Sequence, residues 1–280
     1  MKKFSLFLLI FFTFELSARQ IQEVTFSYWN KPDINIFYST PKSIDANTKI
    51  LFIMHGASRT AEKYINDWLP IAKGRNVVLI APEFSKESFP EYVYLMMSTE
   101  KGKRLNNQSL YLNNSLGLIF DLFKAKLKLS TSTYRLYGHS GGSQFVHRYL
   151  LLSEETRIDK AAMANAGFYT FVNYEISYPF GLKNMNISDK RIEWFLRLKG
   201  AVFLGDADND PKHKSLPLMR KARKQGRHRF QRGTNFFNDL IKLGVDNKLP
   251  FRWRFHIVPG VAHDNAGMSL AASEFLLEDL

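Results

Sequence analysis

Residues 134–152 of the 280-residue chain read YRLYGHSGGSQFVHRYLLL. Tyr134–Tyr137 has the composition of a buried strand, and Phe145–Leu152 that of a helix. Between them, Gly138–Gly142 satisfies the pattern Gly-x-Ser-x-Gly, with Ser140 at its centre. A strand, a five-residue turn and a helix in this order predict a strained turn that lifts the serine hydroxyl above a sheet, with glycines where side chains would collide. The stretch therefore predicts that Ser140 is a nucleophile.

A base for this serine is predicted near the end of the chain. A serine hydroxyl is too weak an acid to attack unaided, so it needs a base and an acid that orients the base. With this kind of turn they follow the serine in the order acid, then histidine. His263 lies on a loop between the strand candidate Trp253–Val258 and the last helical stretch. It combines this order with a loop after a strand, so we predict that His263 is the base.

The acid is predicted from the loop after the strand candidate Ala201–Leu204. This loop reads GDADND from residue 205 to residue 210. We favour Asp208 for its reach and keep Asp206 and Asp210 as alternatives. The cluster is similar to the start of a calcium loop, but prolines 211 and 217 stand where such a loop needs glycine and glutamate. The sequence thus predicts no metal.

Two backbone donors are predicted to stabilise an oxyanion. An early apolar run ends in His55-Gly56-Ala57. Sites of this layout take one N–H from the loop after that run and one from the residue after the nucleophile. We assign Ala57 and Gly141, with Gly56 in reserve. We interpret His55 as a structural residue that braces the loop rather than as a catalytic one.

The rest of the chain alternates strand and helix candidates. Val24–Trp29 and Ile34–Tyr38 alternate in period two, which favours antiparallel edge strands, whereas Ile50–Met54 and Val77–Ala81 are continuous apolar runs typical of parallel strands buried on both faces. Ala161–Ala164 is a further strand candidate. The other helical stretches are Ala61–Lys73, after a cap candidate at Thr60, Leu110–Leu129, Thr234–Leu243 and Met268–Leu277. The alternation predicts an α/β fold: a mostly parallel twisted sheet with helices on both faces.

One stretch departs from this alternation. Residues 168–198 are rich in aromatic side chains around Pro179-Phe180-Gly181. Long insertions in compact domains are often functional, so the stretch is either a small lid or pocket wall, or packed connecting structure.

The first eighteen residues have the layout of a secretory signal peptide. Lys2 and Lys3 precede an apolar run from Phe4 to Phe14, and Ser17-Ala18 offers small residues for cleavage. The run is short for a spanning helix, which needs about 20 residues, although an uncleaved anchor is the alternative. We predict export to the periplasm or medium and one domain over residues 19–280.

Charge and cysteine content constrain the function further. The chain has no cysteine, which excludes a thiol nucleophile, disulfides and thiolate metal sites. Its net charge is +13, and nine basic residues without an acid lie between Pro211 and Asn238. They are Lys212, Lys214, Arg220, Lys221, Arg223, Lys224, Arg227, Arg229 and Arg232. The run is either a solvated face or a surface for an anionic partner.

These motifs together resemble the landmarks of the α/β-hydrolase superfamily. They are His55-Gly56-Ala57, the turn around Ser140, Gly205-Asp206-Ala207-Asp208 and Gly260-Val261-Ala262-His263. The aspartate at the third place after Gly205 matches the superfamily's usual acid position. The resemblance implies the α/β-hydrolase fold and hydrolysis of carboxylic esters without a cofactor.

A narrower resemblance is to exported polyhydroxyalkanoate-depolymerase-like and feruloyl-esterase-like hydrolases. It rests on Arg59, Tyr64, Asp67-Trp68, Ala81-Pro82-Glu83-Phe84 and Phe89-Pro90. Such proteins often carry an Asn-Gly-containing segment after Phe89-Pro90, where this chain reads EYVYLMM. The departure leaves the substrate open.

Three functional hypotheses follow. The leading one is an exported serine esterase that uses Ser140, Asp208 and His263 on a small or polymeric ester. A peptidase or amidase with the same triad is the nearest alternative. From another class, a binding protein would use the basic run on an anionic surface. No specific nucleic acid is predicted as a partner, and the oligomeric state is left open.

Overall fold

The computed structural model of the protein describes residues 19–280. The predicted signal peptide, residues 1–18, lies outside the described residues. Between residues 19 and 280, no helix combines the length and the apolar character that crossing a membrane requires.

Within residues 19–280, eight strands form one sheet. They are β1 (Gln22–Phe26), β2 (Ile34–Ser39), β3 (Lys49–Met54), β4 (Val77–Glu83), β5 (Tyr134–His139), β6 (Ile158–Ala164), β7 (Lys199–Gly205) and β8 (Arg254–Val258). Their order across the sheet is β1-β2-β4-β3-β5-β6-β7-β8. β2 runs antiparallel to both β1 and β4, and all other neighbours are parallel. The predicted mostly parallel sheet is confirmed, although β2 lies inside it rather than at an edge.

Helices cover both faces of this sheet. They are α1 (Ala61–Trp68), α2 (Ser115–Lys126), α3 (Gly141–Leu152), α4 (Asp189–Arg197), α5 (Arg220–Arg223), α6 (Arg229–Asp246) and α7 (Asn265–Leu276). Successive strand residues point to opposite faces, so each strand contributes to two cores. In β3, Leu51 and Ile53 pack on the face covered by α1 and α7, whereas Phe52 and Met54 pack on the opposite face.

The order of the chain across the sheet reverses at β3. The chain runs from β3 to β4 on one side and then returns to place β5 on the other side of β3. In open α/β sheets, ligands bind beyond the carboxyl ends of the strands at such a reversal. The loops after β3 and β5, which hold Ala57 and Ser140, meet at this point.

Helix bounds differ from the predictions where local chemistry intervenes. α1 stops at Trp68 instead of Lys73, because Pro70 has no N–H to continue the helical bonds. α6 starts at Arg229, five residues before the predicted start. Its first four residues, Arg229-Phe230-Gln231-Arg232, hold a single apolar side chain, so the predicted helix begins only at Thr234. Because α6 starts earlier than predicted, it includes Arg229 and Arg232, and both side chains are buried.

The aromatic side chains that begin and end residues 168–198 are packed into the fold, as the second alternative predicted, and do not form a separate lid. Phe168, Tyr169 and Phe180 are buried in the core. The guanidinium of Arg148, on α3, stacks 4.8 Å from the Phe168 ring. The segment ends in α4, whose Phe195 is also buried. These contacts tie the stretch to the sheet rather than leave it over a site as a lid.

Candidate active site

Ser140 occupies a strained turn between β5 and α3. Its φ of 57° and ψ of −116° are sparsely populated for a residue with a side chain. The turn requires glycines: a Cβ on Gly138 would lie 2.4 Å from the Gly142 backbone, and one on Gly142 would lie 1.9 Å from the Met54 carbonyl oxygen. The Ser140 amide donates to the Ala164 carbonyl at 2.9 Å. Backbone packing therefore imposes the conformation of Ser140.

The structure brings Ser140, His263 and Asp208 together. His263 Nε2 lies 2.9 Å from Ser140 Oγ, and His263 Nδ1 lies 2.7 Å from Asp208 Oδ2. If Nδ1 carries the proton and donates to the carboxylate, Nε2 is free to accept from the serine hydroxyl. Asp208 is buried, whereas Ser140 and His263 are partly exposed. A substrate can thus reach Ser140, whereas Asp208 is shielded from solvent.

The other two aspartates of the acid loop hold turns instead. Asp206 Oδ1 accepts from the Gly260 amide at 2.7 Å, which joins the acid loop to the histidine loop. Asp210 Oδ1 accepts from the Lys212 amide at 2.8 Å. Of the three candidates, Asp208 is the one that contacts His263.

The Asp208 carboxylate has a second partner, Arg229. The guanidinium Nη1 donates to Asp208 Oδ1 at 3.1 Å, and both side chains are almost completely buried. Burial pushes the pKa of Asp208 up, but the hydrogen bond and charge of His263 and the charge of Arg229 outweigh it. The pKa of Asp208 is lowered as a result, so the acid is ionised at neutral pH.

Two further histidines flank His263. The ring of His139 lies 4.7 Å from that of His263, and the ring of His213 lies 5.3 Å from it. Burial above all places the pKa of His139 well below its usual value, so this ring stays neutral. Its Nδ1 lies 3.1 Å from the Tyr64 hydroxyl. His213 is partly exposed at the edge of the site.

The predicted oxyanion donors lie side by side. A Cβ on Gly141 would be 2.7 Å from the Ala57 nitrogen, so the two backbones are in close approach. Within residues 19–280, neither N–H donates to another protein group. His55 braces their loop, because its Nδ1 bonds to the Gly56 carbonyl and its Nε2 accepts from the Phe84 amide. Burial lowers the pKa of His55 to about 3, which suits this structural role.

The basic run divides into an exposed part and a buried part. Seven side chains lie on exposed residues: Lys212, Lys214, Arg220, Lys221, Arg223, Lys224 and Arg227. In the described part of the chain, none of the seven forms an ion pair with an acid. Arg229 and Arg232 are instead buried, and Arg232 donates to the carbonyls of Gly226, Gly167 and Pro217. The prediction of nine cations on one surface is wrong for these two.

The sequence missed two residues that build the site. Arg229 was grouped with surface cations, although it falls on the apolar stripe of α6 with Gly233, Phe236 and Leu240, a spacing that could have shown it to be buried. Asn165, just after β6, links the end of β7 to the loop that holds His263. Its amide oxygen accepts from the Gly205 N–H, and its amide nitrogen donates to the Ala262 carbonyl. No pattern in the sequence marks Asn165. In residues 19–280, no group of three or more histidine, aspartate or glutamate side chains could hold a metal ion.

Comparisons with known proteins agree with this architecture. Poly(aspartic acid) hydrolase-1 from Sphingomonas sp. KT-1 is 32% identical, over 92% of this chain and 99% of its own, with a TM-score of 0.86. A poly(3-hydroxybutyrate) depolymerase from Bordetella parapertussis is 24% identical, over 93% and 90%, with a TM-score of 0.83. A ferulic acid esterase from Anaeromyces mucronatus is 14% identical, over 94% and 91%, with a TM-score of 0.56. No protein-family model and no curated protein sequence matches the chain. The chain therefore belongs to the α/β-hydrolase family as an esterase-like hydrolase.

Proposed function

We propose that this protein is an exported serine hydrolase that cleaves carboxylic esters through an acyl-enzyme on Ser140, with His263 as base and Asp208 as acid. The observation that carries the proposal is the unbroken chain from Ser140 Oγ to His263 Nε2 at 2.9 Å and from His263 Nδ1 to Asp208 Oδ2 at 2.7 Å. Nucleophile, base and orienting acid within hydrogen-bond reach define this mechanism.

Acylation begins when Ser140 Oγ bonds to the acyl carbon and its proton passes to His263 Nε2. The carbonyl oxygen becomes an oxyanion, which the backbone N–H groups of Ala57 and Gly141 stabilise. The tetrahedral intermediate then expels the alcohol, which takes the proton from Nε2. A water molecule repeats the sequence on the acyl-enzyme, releases the acid and restores the Ser140 hydroxyl.

A fluorophosphonate probe tests the nucleophile. The parent protein is expected to be labelled at Ser140, and Ser140→Ala is expected to lose labelling and to lose ester turnover by about 10⁴-fold or more. Ser143→Ala is the matched control, because Ser143 lies in the first turn of the helix that follows Ser140 and its buried hydroxyl has no hydrogen-bond partner among residues 19–280. Labelling of Ser140→Ala, or turnover within a few-fold of the parent, contradicts the proposal.

A second candidate is hydrolysis of an anionic polymer, including its amide bonds. Two observations favour it: the 32% identity to a poly(aspartic acid) hydrolase and the seven exposed cations without acidic partners. The segment that carries these cations starts beside the site, because the His213 ring contacts the His263 ring. An extended polyanion bound there would lie near Ser140.

Paired polymer assays separate the two candidates. Poly(aspartic acid) and poly(3-hydroxybutyrate) are incubated with the parent and with Ser140→Ala, and chain length is followed by size-exclusion chromatography. Cleavage of poly(aspartic acid) by the parent alone supports the anionic candidate. Cleavage of the neutral polyester or of short esters alone excludes it and leaves the ester proposal intact.

Export is proposed from the sequence of residues 1–18. The test is expression of the full chain with a carboxyl-terminal tag in a bacterium, followed by fractionation and mass spectrometry of the amino terminus. We expect a product that begins near residue 19 in the periplasm or medium. An intact amino terminus in the membrane fraction would indicate the uncleaved anchor instead.

A further inference from the structure

Arg229 contacts the side of the triad acid that His263 leaves free. Asp208 Oδ2 binds His263, and Asp208 Oδ1 accepts from Arg229 Nη1 at 3.1 Å. The Arg229 and Asp208 side chains are 1% and 2% exposed. The acid is thus held through both of its oxygens by groups on two different elements.

Arg229 also ties the acid to the next stretch of chain. Its Nη2 donates to Ser215 Oγ at 2.9 Å, and its Nη1 lies 3.3 Å from His213 Nδ1. The Phe230 amide, next in α6, donates to the Asp208 carbonyl at 3.3 Å. The first turn of α6 therefore fixes both the backbone and the side chain of the acid.

We propose that Arg229 is a positioning residue of the hydrolytic reaction, which keeps the Asp208 carboxylate charged and aimed at His263. The proposal rests on the triad of the proposed function. A buried carboxylate needs a charged, hydrogen-bonding partner to remain ionised. Arg229 supplies one, because a guanidinium stays protonated in proteins and donates here to Asp208 Oδ1.

The other titratable groups that face the pair do not supply this charge. Two of them are charged residues that act on Arg229: Asp210 is an acid, and Arg232 donates to backbone carbonyls rather than to Asp208. The other four are His139 from β5, His213 just after the acid loop, His228 at the start of α6, and Tyr169 after β6. Burial comes first among the causes that lower the pKa of each of the three histidines, and burial raises the pKa of Tyr169. All four are therefore neutral near neutral pH.

Removal of Arg229 makes proton uptake by the Asp208–His263 pair easier, because a neighbouring cation disappears. The acid limb of the profile of kcat/KM against pH reports this pair as a unit. In Arg229→Met, we expect that limb to move to higher pH by about one unit. We also expect kcat/KM on the plateau of the pH profile to fall about tenfold or more, since the Asp208 carboxylate is no longer held toward His263. Arg229→Lys keeps the charge and is expected to return the limb close to its parental position.

Arg232→Met is the matched control. Arg232 is buried three residues further along α6, but its partners are backbone carbonyls and not an acid. It should lower the melting temperature while the acid limb stays close to that of the parent. An unmoved limb in Arg229→Met, or an equal movement in both variants, overturns the proposal.

The lysine variants decide the matter if the methionine variants do not fold. Lysine offers one ammonium where Asp208 and Ser215 receive two separate nitrogens, so Arg229→Lys should lose kcat/KM while Arg232→Lys stays within about twofold of the parent. Equal losses contradict the positioning role. Failure of the triad itself would be seen separately, as full activity of Ser140→Ala.

Discussion

The serine turn and the acid loop meet at His263 but are held by different forces. Residues 138–142 are fixed by steric contact, since backbone atoms of β3 and α3 occupy the space that side chains would need. The acid loop shares this steric constraint only at Gly205, where a Cβ would lie 2.1 Å from the Val261 carbonyl oxygen. Its aspartates are held by side-chain chemistry: Asp206 accepts from the Gly260 amide and Asp208 pairs with Arg229. The serine turn should therefore fail when volume is added, and the acid loop when charge is removed.

Gly142→Ala is expected to have the largest effect of any single change, because it acts on the whole fold. Its Cβ would lie 1.9 Å from the Met54 carbonyl oxygen, so the strand or the helix must move. We expect a loss of more than about 4 kcal/mol in the free energy of unfolding, or no folded protein. Chemical denaturation of the purified variant measures this.

Gly244→Ala is the control for that change. Gly244 lies in α6, and its added Cβ would be 3.4 Å from the Phe251 side chain, close to ordinary contact. Alanine favours a helix interior over glycine by about 1 kcal/mol, so stability should hold or rise. Similar losses in both variants would show that steric contact is not what distinguishes the serine turn.

Among substitutions that leave the acid loop folded, Asp208→Asn is expected to have the largest effect on activity. The amide cannot hold His263 in the tautomer that accepts from Ser140, so kcat should fall by about 10³–10⁴-fold. Asp206→Asn and Asp210→Asn should be milder, because those side chains hold turns. Steady-state kinetics on a short ester compares the three variants, and a greater loss in Asp206→Asn would assign the acid differently.

Acid pH should weaken the surroundings of the serine turn before it protonates Asp208. His55, His139 and His147 lie around the turn, and burial lowers the pKa of each, that of His55 to about 3. The unfolded chain takes up protons below about pH 6.5 that the folded protein excludes, so stability falls as pH decreases from there. Each histidine contributes a slope of up to about 1.4 kcal/mol per pH unit. The lowered pKa of Asp208 acts in the same direction but at lower pH: its stabilisation persists until pH falls below about 4.

Melting temperatures between pH 7.5 and 4.5 test this order. The parent is expected to lose stability steadily from about pH 6.5 downward. A double variant, His55→Gln and His147→Gln, keeps a donor and an acceptor at each site but does not titrate. It should melt lower at pH 7.5 and show a smaller fall between pH 7 and 5. An unchanged fall would assign the pH dependence to other groups.

The sequence predicts the serine turn better than the contacts of the acid loop, because the turn depends on neighbouring residues and the loop on distant ones. The turn around Ser140 is local: five consecutive residues between a strand and a helix specify it, and they carry much of the resemblance to the superfamily. The contacts of Asp208 depend on Arg229, 21 residues away, whose burial is decided by which face of α6 packs inward. The sequence places the two arginines of α6 among nine similar cations. Distinguishing them requires extending the apolar stripe of Gly233, Phe236 and Leu240 back to Arg229, and the predicted helix begins only at Thr234.

The smallest expected effect on turnover comes from the exposed cations beyond the acid loop. Arg220, Lys221, Arg223 and Lys224 form and follow α5, and none has an acidic partner in the described residues. Changing all four to Gln removes charge that faces solvent, where attraction to anions is screened within about 8–10 Å at ordinary salt. Hydrolysis of a short neutral ester should stay nearly unchanged, while elution from a heparin column should move to lower salt.

Buried Arg229 provides the contrast, since its loss should alter turnover rather than retention. Unchanged retention after all four substitutions would mean that this surface does not bind anions, and a loss of turnover together with a lower melting temperature would place α5 in the support of the acid loop.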